Sequence, residues 1–525
     1  MTMEAIKPIY YREHMLLEAD NRLKVMLPHA KSLMHEGREV LVIPHKVDET
    51  QLLKNLGFDV RPPVMMAYNW PAPPGQPVFD AQRITTALIT SHRRSFVLNG
   101  LGTGKTRSLL YAYDFLKQTS PGYGKMLVTA PLSTLRQTWE REITLVFPHL
   151  RCNVLHGSKA KRVKLLDEDV HIHIINHDGV ETIIAELLER LKQFSMVGLD
   201  ELSVYKNAQT DLWKSTYRFV GEVDRAVGMT ATPMTKDASD IYGQIKMLTP
   251  AALGGLSFSK FRETVMTKYG PYRWVNKRDA LETTHKLMQP AVRFTRDECY
   301  DLPPCTTVCR ETPMTPEQHR AFKHMQDEAA ITHLGVKAAN AADQANKCLQ
   351  IALGFVYDQN HQPIEFETKG RAKLLEAAIE ESNSKVIVFT PYKASLARLV
   401  EQLKEKWSVA YVSGDVSPTA REIIFSNFMQ APDPHVIVAH PECMSHGLTL
   451  TEASTIVWWG PPQSLETYEQ ANGRITRAGQ RHKQMIVQLV SSKLEQKLFQ
   501  TLDRRGNVQQ LLLGLFEAQD KGDLS

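Results

Sequence analysis

Nowhere do the 525 residues stay apolar for long enough to cross a bilayer, because every stretch of Leu, Ile and Val is soon broken by charge. That argues against a helical membrane protein and against a membrane partner. The opening Met-Thr-Met-Glu-Ala-Ile-Lys lacks the basic-then-apolar layout of a signal peptide. Cysteine is scarce: six scattered positions (152, 299, 305, 309, 348 and 443), read as free thiols in a chain with no export signal. Cys299, Cys305 and Cys309 fall close together, yet no Cys-x-x-Cys or histidine pair completes a zinc set. They read as small hydrophobes and a loop. Low-complexity tracts and short-period repeats are absent. So is any strong excess of one charge, since 63 Lys and Arg face 58 Asp and Glu for a net +5. This mild basicity permits a nucleic-acid partner without requiring one.

What is present is the composition of a globular protein, 42% hydrophobic and 23% charged, in a chain long enough for two or three domains. Residues 1–75 are expected to form a small accessory domain: a charged helical stretch, a strand at Glu39–Ile43, a short helix at Thr50–Leu56, then a proline-rich extended linker. From Ser91 to about Pro250, buried strands alternate with helices. The strands are expected at Ser95–Leu98, Met126–Thr129, His171–Ile175, Met196–Leu199 and Ala226–Met229. The rhythm returns at Lys385–Phe389, Val409–Val412, His435–Val438, Thr455–Trp458 and Met485–Leu489. Continuous rather than alternating apolarity marks parallel sheets covered on both faces. Two α/β lobes are thus expected at 76–250 and 371–525, with helical insertions and a linker over 251–370, basic and aromatic at Lys268-Tyr-Gly-Pro-Tyr-Arg-Trp274. One or two helices should close the chain at Leu494–Phe516.

Asn99-Gly-Leu-Gly-Thr-Gly-Lys-Thr106 lies between a strand and a helix, the context of a phosphate-cradling loop. It meets G-x-x-x-x-G-K-T except at Asn99. Gly100, Gly102 and Gly104, with Thr103 between them, free the backbone to turn its N–H groups on β-phosphate oxygens at a helix N-terminus. Lys105 would neutralise the β- and γ-phosphates, and the Thr106 hydroxyl would ligate Mg²⁺. Asp200-Glu201 ends a buried strand, where the carboxyl edge of an open α/β sheet faces its ligand crevice. Asp200 would hold Mg²⁺, and Glu201 would orient or deprotonate the attacking water. Gly228-Met-Thr-Ala-Thr-Pro233 ends the next strand with hydroxyls suited to coupling this site to the interlobe cleft.

Taken in order, these motifs resemble those of the Swi/Snf-type ATPases of helicase superfamily two, most like the compact bacterial and phage members. The resemblance runs from about residue 79 to 500. Phe79-Asp-Ala-Gln82 is similar to the adenine-reading motif, which makes Gln82 the base contact. Leu127-Val-Thr-Ala-Pro-Leu-Ser-Thr134 with Trp139 resembles the motif that touches the nucleic-acid strand. Asp200-Glu-Leu-Ser-Val-Tyr-Lys-Asn207 is similar to the acidic box. Lys385-Val-Ile-Val-Phe-Thr390, Gly447-Leu-Thr-Leu450 and Gln470–Gln480 resemble the second-lobe motifs. There are departures: Leu202-Ser203 stands where many relatives carry Ala-His, with Ser203 as a weaker relay from Glu201 to Thr230-Ala-Thr232. His440-Pro-Glu-Cys-Met-Ser-His446 also replaces a Ser/Thr followed by glycines.

The resemblance implies two tandem RecA-like lobes, with ATP and Mg²⁺ between them. Arg474 and Arg477 would be arginine fingers one helical turn apart, worth about 10³–10⁵ in turnover, with Gln470 positioning their helix. It further implies a monomeric motor that tracks the backbone of duplex DNA through Ser133, Thr134, Lys393 and Thr449. Specificity should be low and salt dependence steep. Lys159-Ala-Lys-Arg162 and Lys164 are either a phosphate contact or a solvated helix face. The cytoplasm of a prokaryote or of a virus's host fits such an enzyme; the sequence names no recruiting protein. Two other readings stand beside this DNA translocase: a strand-separating or branch-migrating helicase, and a non-hydrolytic ATP-gated clamp. The intact Lys105, Glu201, Arg474 and Arg477 count against the clamp.

Overall fold

The computed structural model describes residues 8–517, apart from 12, 235, 271–272, 297, 300–302, 383, 445–449 and 477–479. The chain divides into two compact units, Met1–Cys299 and Tyr300–Val508.

Unit 1 begins with an antiparallel sheet of four strands, β1 (Ile9–Tyr11), β2 (His14–Glu18), β3 (Lys31–His35) and β4 (Arg38–Pro44), in the order β1-β2-β4-β3. The expected strand and short helix are there, as β4 and Val47–Asn55. The expected charged helical stretch is mostly β2, however, with helix confined to Asn21–Met26. Alternation explains this correction: Met15 and Leu17 face the small core of Leu41, Ile43 and Leu53, while His14, Leu16 and Glu18 alternate with them and are less buried.

The proline-rich passage is not a free linker. Tyr68 donates its hydroxyl to buried Asp114 (2.6 Å), and Tyr111 donates to Pro71 O (2.7 Å). Tyr68, Trp70, Tyr111 and Phe115 pack edge-on. Prolines keep the passage extended, and the interleaved aromatics give it something to bury against the helix Lys105–Thr119.

The main sheet of unit 1 collects β5 (Arg94–Val97), β6 (Lys125–Ala130), β7 (Cys152–Leu155), β8 (Ile172–Asn176), β9 (Phe194–Asp200) and β10 (Arg225–Met229). A lone antiparallel hairpin, β11 (Met266–Tyr269) with β12 (Arg273–Asn276), follows, and β13 (Ala291–Val292) returns to the sheet. All seven sheet strands are parallel, in the order β13-β5-β10-β9-β6-β8-β7.

Unit 2 holds β14 (Cys305–Glu311), two short hairpins, β15 (Ala330–Ile331) with β16 (Val336–Lys337) and β17 (Phe355–Tyr357) with β18 (Pro363–Glu365), and then β19 (Lys385–Phe389), β20 (Val409–Val412), β21 (Val436–Ala439), β22 (Ala453–Trp458) and β23 (Gln484–Val490). Its six-stranded sheet is parallel throughout, in the order β14-β23-β22-β19-β21-β20. Why the strands read as unbroken apolar runs is visible in its two cores. Ile387, Phe389, Ile437 and Trp458 fill one face; Val386, Val388, Val436 and Val457 fill the other.

Residues 251–370, expected as helical insertions, contain the helices Phe258–Val265, Ala280–Leu287, Pro316–Glu328 and Ala341–Ala352. They also supply an edge strand to each sheet, β13 to the first and β14 to the second. Cys305 and Cys309, expected in a loop, lie on β14.

Candidate nucleotide site

Register puts the motifs of unit 1 on one level. Val97 of β5 pairs with Met229 of β10, which pairs on its other side with Asp200 of β9. The glycine-rich loop, the Thr230 turn and Asp200-Glu201 therefore leave the sheet side by side at its carboxyl edge, where an open α/β sheet binds its ligand.

The loop itself is tightly held. Gly102 and Gly104 have φ of 81°, a left-handed conformation that only glycine adopts freely. A side-chain carbon at Gly104 would also collide with Gln82 Nε2, so the expected base-reading residue lies against the phosphate turn. Gln82 is 2% exposed, and its Oε1 accepts from Phe79 N (3.0 Å), closing the first turn of the helix Asp80–Ser91. Lys105 donates to the carbonyls of Asn99 (2.9 Å) and Gly100 (3.0 Å), and Thr103 donates to Gly100 O (2.8 Å). Thr106 follows on the first turn of the helix Lys105–Thr119.

Asn99 has a structural use that glycine could not supply. Its buried amide donates to Thr85 Oγ1 (2.8 Å) and accepts from Phe294 N (2.9 Å). With the side chain committed at both ends, Asn99 can offer a nucleotide its backbone alone. The segment after β13 adds to this bracing. Phe294 O accepts from Gly100 N (2.9 Å), Arg293 donates to Leu98 O (2.6 Å), and Arg296 donates to Leu101 O (3.3 Å).

Asp200 accepts from Trp139 Nε1 (3.0 Å), and its carbonyl accepts from His177 Nε2 (2.8 Å). Burial pushes the Asp200 carboxyl up, while the Trp139 hydrogen bond and the Lys105 charge pull it down. His177 is pushed down by its own burial and serves as a neutral donor. Glu201 has φ 58° and ψ 58°, a left-handed conformation that is costly for a residue with a side chain. Such strain is held by its surroundings at sites where a side chain must point in a set direction. Here Thr230 donates to Glu201 Oε1 (3.4 Å) and accepts from Thr232 N (3.0 Å). The coupling expected through Ser203 thus runs directly through Thr230; Ser203 Oγ is buried without a hydrogen-bond partner among the described residues.

Further along the same edge, Ser133 is exposed beside Leu132. Thr134 departs from its expected role as a strand contact: it is buried and donates its hydroxyl to Pro131 O (2.9 Å). Half of the basic cluster of 159–164 is engaged within the protein, while Lys161 and Lys164 are exposed. Arg162 is buried and donates to Leu155 O (2.6 Å) and Gly157 O (3.0 Å), and Lys159 pairs with Glu186 (2.8 Å).

In unit 2, Gln470 is buried in the helix Leu465–Asn472 and donates to Glu466 Oε1 (3.2 Å). Arg474 lies beyond the helix end rather than on the helix, in a turn held by Leu450 N donating to Arg474 O (3.0 Å). Its side chain is 2% exposed. Gln480 fastens the far side of this segment through Ala453 O (2.8 Å) and Ile475 O (3.0 Å). Lys393 stands exposed at the start of another helix, paired with Asp415 (2.9 Å). Arg477, His446 and Thr449 lie outside the described residues.

A family model for the SNF2-related domain matches residues 86–363, and one for the helicase conserved C-terminal domain matches 370–479. The chain belongs to the SNF2-related family. It is accordingly a helicase-like enzyme that hydrolyses ATP. Among similar proteins is putative protein p41 of Acyrthosiphon pisum secondary endosymbiont phage 1, 25% identical over 81% of this chain and 96% of that protein. The DNA repair and recombination protein RAD54-like of Drosophila pseudoobscura pseudoobscura is 24% identical over 80% of this chain. The chromodomain-helicase-DNA-binding protein 1-like of Mus musculus is 25% identical over 74%. This chain spans 60% and 44% of the lengths of those last two. Among solved structures, the Sulfolobus solfataricus SWI2/SNF2 ATPase core in complex with dsDNA covers 85% of this chain at 20% identity, with a TM-score of 0.39.

Sequence reasoning passed over two partners of the SNF2-related site. His177 sits at the carboxyl end of β8, so the edge rule that singles out Asp200 would have found it too. The Arg293–Arg296 brace gave no comparable signal, because nothing in the sequence says that β13 returns beside β5.

Proposed function

We propose that this SNF2-related ATPase is a monomeric DNA translocase that couples ATP hydrolysis to movement along duplex DNA. The observation that carries the reading is the common level of the Lys105 loop, the Glu201 carboxylate and the Thr230 turn, joined by the Thr230–Glu201 hydrogen bond. Lys105 and the N–H groups of Gly102–Lys105 bind the phosphates. Glu201, fixed in direction by its strained backbone and by Thr230, orients the attacking water and takes its proton. Thr230 passes the presence of the γ-phosphate on to the chain that follows it. Arg474 and Arg477 meet the charge that develops on that phosphate.

Thr106 and Asp200 offer one hydroxyl and one carboxylate. That all-oxygen set suits Mg²⁺, which keeps most of its shell as water and phosphate. No cluster of three or more His, Cys, Asp or Glu competes as a metal site among the described residues. Held by Thr106 and Asp200, Mg²⁺ would supply positive charge to neutralise the phosphates.

DNA as the track is supported by the names of the RAD54-like and chromodomain-helicase relatives and by the exposed Ser133 and Lys393. A cytoplasmic site of action, in a prokaryote or a virus's host, suits the phage relative. The test is displacement of a third strand from a triplex by the full chain with ATP. Release of that strand, abolished by Lys105→Ala, is the expected result. Turnover indifferent to duplex DNA, or no triplex displacement, would overturn the reading.

A further inference from the structure

The hairpin β11–β12 plays no part in the site above, and its two faces are unlike. Cross-strand register pairs Lys268 with Trp274 and Met266 with Asn276 on one face, and Tyr269 with Arg273 and Thr267 with Val275 on the other. The first face is anchored. Met266 is buried, Trp274 is half-buried under the Arg262 guanidinium (4.4 Å to the ring centre), and Lys268 stands 6.0 Å from the same ring. All four residues of the second face are exposed, with Tyr269 61% and Val275 40% open to solvent. Among the described residues, this tyrosine ring, beside an arginine on a ribbon only two strands wide, packs against no other ring.

Its surroundings select the partner. From Phe258 to Arg278 the chain carries Lys260, Arg262, Lys268, Arg273, Lys277 and Arg278 against the single acid Glu263. A polyanion with flat faces matches both features: phosphates for the cations, and an unstacked base for the ring. Bases within a duplex are already stacked on one another, so an aromatic ring gains a base only where strands part or end. The hairpin is also tied to the ATPase site of its own unit. Ala238 N donates to Asn276 Oδ1 (3.2 Å) at the base of β12, and Gln244 donates to Pro233 O (2.6 Å) at the end of the Thr230 turn.

We propose that β11–β12 is a second nucleic-acid contact that grips the junction between duplex and single strand, with Tyr269 stacking on an unpaired base and Arg273 holding the adjacent phosphate. This deepens the translocase reading and rests on it for the identity of the polymer. It directs the motor to forked or gapped DNA rather than to uninterrupted duplex.

The test uses the full chain with labelled blunt duplex, the same duplex bearing single-stranded arms, and the arm alone. Affinity is read by fluorescence anisotropy, with ATP turnover measured in parallel. Expected is fork binding about tenfold tighter than blunt-duplex binding, the scale of one base–aromatic stack. Tyr269→Ala should remove that advantage and leave blunt-duplex affinity within about twofold, whereas Tyr269→Trp should keep it. Arg273→Glu should weaken the fork and the arm, more so at low salt. Equal wild-type affinity for fork and blunt duplex, or a Tyr269→Ala protein that still prefers the fork, would overturn the inference, and the latter would leave the hairpin to an acidic protein partner. Turnover stimulated by blunt duplex keeps the translocase reading in either case. Fork preference lost in Tyr269→Ala, with turnover indifferent to every DNA, sinks the translocase reading and keeps the hairpin.

Discussion

The two parallel sheets share one construction and use their carboxyl edges differently. At the edge of the first sheet, buried polar groups converge on a phosphate-sized turn: the glycines at φ 81°, Lys105 on two loop carbonyls, Asp200 between Trp139 and His177, and Glu201 on Thr230. Among the described residues, the second sheet has no glycine-rich loop and no paired acid at its strand ends. Two of its buried charges, Arg371 and Glu495, pair with each other and fasten the helix Lys369–Glu380 to the N-terminus of the helix that begins at Lys493. The contribution to chemistry proposed for it rests on Arg474 and Arg477. A parallel sheet covered on both faces thus fixes where a site can be, and the few residues just beyond each strand decide what the site does.

The sharpest way to break this comparison is to remove the second unit's cation. Arg477→Ala should lower kcat by about 10³–10⁵ while ATP-analogue binding stays nearly intact, because a finger acts on charge that appears only in the transition state. Turnover and analogue affinity, measured on the same preparation, decide it. Loss of binding in step with turnover would mean that Arg477 holds the ground state and that the two edges are not divided as described. Arg474→Ala should also lower the melting temperature, since its side chain is 2% exposed.

The parts of both sheets that were legible in the sequence are those where burial on two faces forces apolar residues at every position. Lys385–Phe389 and Val409–Val412 have the same bounds in sequence and structure, and the other expected strands of the two sheets shift by a residue or two. The strands that stayed hidden break that rule. β7 carries Asn153, whose amide is buried only because it donates to Leu165 O and Glu168; β14 is an exposed edge rich in threonine, cysteine and charge; β13 is two residues long. The nucleotide loop and the acidic strand end were readable because phosphate chemistry needs those residue types at adjacent positions. The Asn99–Phe294 bond was not, because it joins residues from distant parts of the chain. Likewise, a helix carrying both arginines was a reasonable reading of Gln470–Gln480, but the helix stops at Asn472, ahead of Gly473.

Asn99 offers a smaller and more local test of how the first edge is built. Asn99→Gly restores the glycine of the usual phosphate-loop pattern and deletes both side-chain bonds. On pattern alone the change should help. On the structure it leaves the Phe294 N–H buried without its acceptor, a loss of about 1–3 kcal/mol, and it frees the loop from the helix that carries Gln82. The expected outcome is lower stability to urea and a raised KM for ATP. Asn99→Asp, which still accepts from Phe294 N but no longer donates to the Thr85 hydroxyl, should recover part of each. A glycine variant as stable and as tight for ATP as the parent would show that the brace is incidental.

The gentlest distinction between the sheets is their response to acid. His173, in the interior strand β8, is fully buried with Nδ1 2.8 Å from Asn153 Oδ1; burial, helped by the Lys125 charge, brings its pKa down to about 3. The interior strands β19, β21 and β22 of the second sheet carry no histidine. Above the ordinary histidine pKa of about 6.5 both folded and unfolded chains hold His173 neutral, so it contributes no pH dependence there. Between that value and about 3 the unfolded chain takes up a proton that the folded one refuses, and stability falls as the pH falls. The slope from this one group is at most ~1.4 kcal/mol per pH unit. Hydrogen exchange followed from pH 7 to pH 5 should therefore show the amides of β6, β7 and β8 losing protection before those of β19, β21 and β22. His173→Gln, which removes the titrating ring, should narrow the gap even if it costs some packing at neutral pH. Equal loss of protection in both sheets, unchanged in the variant, would mean that the acid sensitivity of the first sheet lies elsewhere.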